Sequence, residues 1–140
     1  MSNVELVERL DTWFASKLAN LPYGDPTRAY VANVLGHRQY DNDLSNRSLV
    51  LAFADARYRA DFAGYQRIGD WVLWVDVFYP EFVVERDLSQ SLARQSYFAC
   101  HRMMRGQWPI YEELADKLPT LIHEIRTCVK NNSVLFVKNA

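Results

Sequence analysis

The sequence predicts an all-α fold: a single helical domain over residues 1–140, a bundle of about six helices packed around a buried central helix, Ile68–Tyr79. Three observations lead there. Apolar residues recur at spacings of three and four on both sides of the chain's midpoint. Prolines, glycines and capping residues punctuate those segments where helices begin and end. The middle stretch, Ile68-Gly69-Asp70-Trp71-Val72-Leu73-Trp74-Val75-Asp76-Val77-Phe78-Tyr79, is apolar nearly all round, as a buried helix must be.

The first helix is expected over Ser2–Leu21. Ser2 with Glu5 forms a capping box, and Val7, Leu10, Phe14, Leu18 and Leu21 share a face. Pro22, Gly24 and Pro26 then break the pattern. Asp25-Pro26 starts a second helix running to about Gln39, with Val31, Val34 and Leu35 inward. Tyr40–Asn46, rich in turn formers, makes a loop. A third helix is expected from Asn46 to Gly64, with Leu49, Phe53, Ala56 and Ala60 on one side and Gly64 or Gly69 as its interruption. The central stretch also fits a strand by residue type, but its length exceeds the usual five or six residues of a strand and it has no evident pairing partner. Pro80 closes it. Asp87–Arg105 follows, capped by Asp87 and ended by Gly106 at the left-handed position, with Leu88, Leu92, Ala99 and Met103 as its stripe. The last helix opens at Pro109, and Pro119 either kinks it or begins a new one. Ser133–Lys138 is an apolar tail that sequence leaves open between helix, strand and coil.

Composition narrows the functional classes. Of 140 residues, 49% are apolar and 14% aromatic, enough to bury a core without disulfide or metal. The net charge of −1 disfavours a nucleic-acid footprint, which needs a basic domain or stripe. No apolar run approaches the ~20 residues of a membrane span, and the first residues are polar and acidic rather than a basic segment followed by an apolar run. A cytoplasmic protein without membrane contact is expected. Cys100 and Cys128 read as buried free thiols.

Catalytic motifs are missing from the chain. There is no nucleophile elbow, phosphate-cradling glycine loop or Cys-x-x-Cys. Asp41–Asn46 resembles half a calcium loop, but Asn46 replaces its turn glycine and Ala52 stands where the bidentate glutamate is needed. His37, His101 and His123 lack helical metal spacing, so neither metal nor cofactor is expected. Asp76 is the polar oddity. A carboxylate among Trp74, Val75, Val77 and Phe78 needs a partner, and Arg57, Arg94, Arg102, a histidine or a tyrosine hydroxyl are the candidates. It reads first as a tether between helices or a residue exposed at the helix edge, and second as the acid of a pocket. Arg94, Arg102 and Arg105 share a broad face, with Tyr97 and Trp108 as neighbouring stacking surface.

The leading expectation is a non-enzymatic protein-interaction or assembly module, including a homo-oligomer, because surplus Trp, Tyr and Arg suit interface anchors. The alternative is a small-molecule binder or enzyme whose inter-helix pocket uses Asp76 with His101 or a neighbouring arginine. A second alternative is weak nucleic-acid contact through the Arg94–Arg105 face. Trp74, Asp76, Arg94, His101 and Arg102 are therefore the pocket or interface candidates, with no catalytic residue assigned.

Overall fold

The structure, a computed structural model, describes residues 12–37, 44, 48–83 and 85–131. Regular structure among them is helical throughout. Residues 12–18 form α1, Asp25–His37 α2, Leu49–Arg59 α3 and Phe62–Phe78 α4. A short 3₁₀ turn, Pro80–Phe82, leads to α5, Arg86–Met103, and α6 spans Pro109–Asn131. The expected capping box at Ser2 and the Ser133–Lys138 tail lie outside the described residues, as does the Tyr40–Asn46 loop apart from Leu44, which is buried.

The all-α bundle is what the periodicity predicted, and α4 lies at its middle. It packs against α2, α3, α5 and α6, and α1 reaches it through Phe14, whose ring meets Phe78 edge-on at 5.8 Å. Ile68, Trp71, Val72, Leu73 and Val77 of α4 are buried against Val31 and Leu35 of α2, Tyr97 and Cys100 of α5, and Leu114, Leu118, Ile122 and Ile125 of α6. No described helix is long and apolar enough to cross a membrane.

Several boundaries and faces differ from expectation. The break before the central helix falls at Ala60-Asp61, not at Gly64 or Gly69. Ala60 adopts the left-handed conformation (φ 50°), its N–H donates to the Arg57 carbonyl and that of Asp61 to the Ala56 carbonyl, which together close α3. Both glycines lie inside α4, and Gly69 is there for space: a Cβ on it would sit 2.6 Å from the Tyr97 ring. At the end of α5 the same closing motif places Arg105 (φ 56°) in the left-handed position, with Gly106 (φ 70°) one step beyond, its N–H on the His101 carbonyl. The start of α5 is Glu85-Arg86, so Asp87 falls in the first turn, where its charge still suits the helix dipole.

The buried face of α5 is also rotated. Leu92, Ala93, Ser96, Tyr97, Ala99 and Cys100 face the core, while Leu88 and Met103 are exposed. Tyr97, expected on the surface, is wholly buried. Finally, Pro119 does not begin a new helix: α6 is continuous through it. Proline has no N–H to offer the carbonyl four residues back, Ala115. Arg94 supplies that donor from α5, its Nε donating to the Ala115 oxygen at 2.7 Å.

Candidate functional site

Two carboxylates of α4 are buried, and both are already engaged. Asp76, fully enclosed, accepts from Gln90 Nε2 at 2.8 Å and Arg86 Nε at 3.2 Å, with Arg126 Nη1 at 3.9 Å. The partners expected from sequence, Arg57, Arg94, Arg102, a histidine or a tyrosine, are not among those contacts. Register explains the difference: the short turn after Pro80 folds the start of α5 back along the end of α4, so Arg86 and Gln90, one helical turn apart, reach Asp76 together, and Arg126 comes from α6. Asp76 is thus a tether joining α4, α5 and α6. His101 is not brought to it. It lies eleven residues beyond Gln90 on α5, about 16 Å along the helix axis, where its Nε2 faces Glu112 at 3.8 Å.

Asp70 is the second buried acid, and sequence reading passed over it. Its Oδ1 accepts from the Tyr30 hydroxyl at 2.7 Å and the Tyr97 hydroxyl at 2.8 Å. The rings of Tyr30, Tyr97 and Tyr111 contact one another, and Gln66 Nε2 donates to the Tyr111 oxygen at 2.8 Å. Burial, and then the Asp70 charge, push the Tyr30 and Tyr97 phenols well above their ordinary range. The same two causes push the Cys100 thiol up to about 12, so it stays protonated and is a poor nucleophile. Cys128 is half-buried. The signal for this knot was the run Ala93, Ser96-Tyr97, Cys100, which has helical spacing and places a tyrosine on the core face.

The other candidates separate. Arg94 is fixed by Ala115, and Arg102 lies over the Phe98 ring at 5.2 Å. Trp74 is half-buried and stacks on Trp71 with centroids 5.7 Å apart. Among the described residues no group of three or more His, Cys, Asp or Glu side chains is arranged to hold a metal ion.

Two concave surfaces of the described residues stand out by size. The first, about 670 Å³, is apolar: Leu49 and Val50 of α3, Trp71, Val72 and Val75 of α4, then Tyr79, Phe82, Leu88 and Leu92 form most of its wall, with Glu85 as the one acid among the described residues. Val50, Tyr79, Leu88 and especially Phe82, which is 69% accessible, stay exposed there. Trp71 lines this groove, and Trp74 and Asp76 do not. The second, about 600 Å³, gathers Arg57 of α3 and Arg94 and Arg102 of α5, with Phe53, Tyr65 and Phe98 as ring surfaces. It contains two of the sequence candidates, Arg94 and Arg102, and neither Asp76 nor His101. No family model matches the chain, and neither a curated protein nor a solved structure matches it.

Proposed function

We propose that this chain is a protein-interaction module without catalytic machinery, docking an apolar surface of another protein in the groove between α3, α4 and the start of α5. A second copy of the chain is the first partner to test. One observation carries the reading: Val50, Tyr79, Phe82 and Leu88 are exposed together around a single groove, although the fold has buried Trp71, Val72 and Leu92 beside them. Contiguous exposed apolar side chains of this kind mark contact surfaces, because leaving them in water costs about 25 cal/mol per Å². The carboxylates of α4 support the same direction. Asp76 and Asp70 are both occupied by internal donors and line neither groove, so neither offers a free carboxylate there for proton transfer.

Sedimentation equilibrium tests it. The wild-type chain is expected to self-associate, and the double variant Phe82→Asp, Leu88→Asp is expected to be monomeric with unchanged helical circular dichroism. A wild type that stays monomeric at high concentration, and that captures no protein which the double variant fails to capture, would contradict the reading.

A further inference from the structure

The arginine-lined groove lies apart from the apolar one and has its own chemistry. Several described arginines pair with a carboxylate: Arg28 with Asp25, Arg59 with Asp55, and Arg86 and Arg126 with Asp76. Among the described residues, Arg57, Arg94 and Arg102 have no carboxylate within salt-bridge distance, and all three line the same groove. Arg94 spends its Nε on the Ala115 carbonyl, which holds the guanidinium in place with its other nitrogens unengaged by any described residue. Among the described residues Asp116 is the one acid in the lining, against three cations. A chain of net charge −1 therefore concentrates unneutralised positive charge in one concavity, where low-dielectric walls focus its field.

The remaining lining supplies a second kind of contact. Phe98 is exposed with Arg102 over its face, Phe53 and Tyr65 add ring surface, and Gln95 donates to Ser91 at 3.1 Å on the same wall. Planar guanidinium forks recognise carboxylate and phosphate oxygens through paired hydrogen bonds, and ring faces accept flat apolar bodies. A volume of about 600 Å³ suits one small molecule.

We propose that this groove binds a small ligand that joins an oxyanion, phosphate or carboxylate, to a flat aromatic body. Arg57 and Arg102 grip the oxyanion, Arg94 fixes its position, and Phe98 and Phe53 take the ring. The site is independent of the docking reading, since the two grooves share no lining residue. A nucleic-acid strand is the weaker occupant, because the basic residues are gathered at one groove of an otherwise balanced chain.

Calorimetric titration of the full chain with adenosine monophosphate, 1-naphthoate, adenosine and a ten-residue oligothymidylate tests this. At least one of the two anions is expected to bind, the tighter one showing which oxyanion is preferred, with adenosine at least about tenfold weaker. Arg57→Gln and Arg102→Gln, both at exposed side chains, are each expected to weaken binding about tenfold or more, while Arg59→Gln, whose side chain pairs with Asp55 outside the groove, leaves it unchanged. Added salt weakens binding in step. Three results would overturn the proposal: no binding of either anion at about 10 mM, equal binding of adenosine and its monophosphate, or binding that ignores both arginine substitutions. Binding by the oligothymidylate alone would overturn it in favour of a single-strand site.

Discussion

Asp70 and Asp76 sit six positions apart on α4 and are both buried, yet opposite kinds of donor hold them. Asp70 is met by neutral phenols from α2 and α5 inside a cluster of rings. Asp76 is met by an amide from α5 and by guanidinium groups from α5 and α6 at the bundle's edge. The Asp70 knot specifies how α2, α4 and α5 sit together by fitting rings around one oxygen. The Asp76 knot works by charge, and its arginines keep part of their length in water. Removing a partner therefore has different consequences at the two ends.

The largest effect is expected at Asp76. Asp76→Ala empties a fully buried position and removes the acceptor shared by the Gln90 amide and two part-exposed arginines, and should cost about 2–4 kcal/mol in urea unfolding, an unmet buried donor together with the cavity left behind. At Asp70 the corresponding probe is Tyr97→Phe, which withdraws one of the donors to Oδ1. It should cost about 1–3 kcal/mol, the penalty for a buried polar group short of a hydrogen bond. The two knots also separate by pH. Phenols raised above 10 in the folded chain stay protonated while the unfolded chain ionises, so stability is complete below about pH 10 and falls as pH rises towards the folded values. Cys100, raised from 9.0 to about 12, adds to that alkaline loss beginning near pH 9. Unfolding midpoints between pH 8 and about 11 should decline in the wild type and decline less steeply in Tyr97→Phe.

A third polar contact sharpens the comparison, because its donor serves the backbone instead of an acid. Arg94→Met orphans the buried Ala115 carbonyl and should cost about 1–2 kcal/mol. In a Pro119→Ala background, where the helix regains its own N–H for that carbonyl, the same change should cost clearly less. The smallest effect lies at the joint that sets where α4 begins. Ala60→Gly relieves a side chain in the left-handed conformation and should stabilise by about 1 kcal/mol in thermal unfolding.

The helices were legible in the sequence because period and punctuation are local. Phe14 and Leu18, Val31 and Leu35, and Leu118, Ile122 and Ile125 lie on the faces their spacing predicted, and all are buried. Asp76 was legible as a residue in need of a partner, but not its partner's name, since that depends on how the chain turns after Pro80. Asp70 was harder to see: beside Gly69 it reads as the polar edge of the stretch, and only the inward rotation of Tyr97 makes it a buried acceptor. Arg94 and Pro119 each looked ordinary alone. Their connection through Ala115 is a tertiary fact that no window along the chain contains. The two grooves were invisible for the same reason, since each is built from three or more separate segments.

A double-mutant cycle on Asp76→Ala and Arg86→Ala, read by urea unfolding, tests most directly whether Asp76 is consumed by the fold. The tether requires a coupling of about 0.5–3 kcal/mol between the two sites, with Asp76→Ala alone strongly destabilising. Additivity within about 0.3 kcal/mol, with Asp76→Ala nearly neutral, would contradict it and return Asp76 to the list of groups free to act on a ligand.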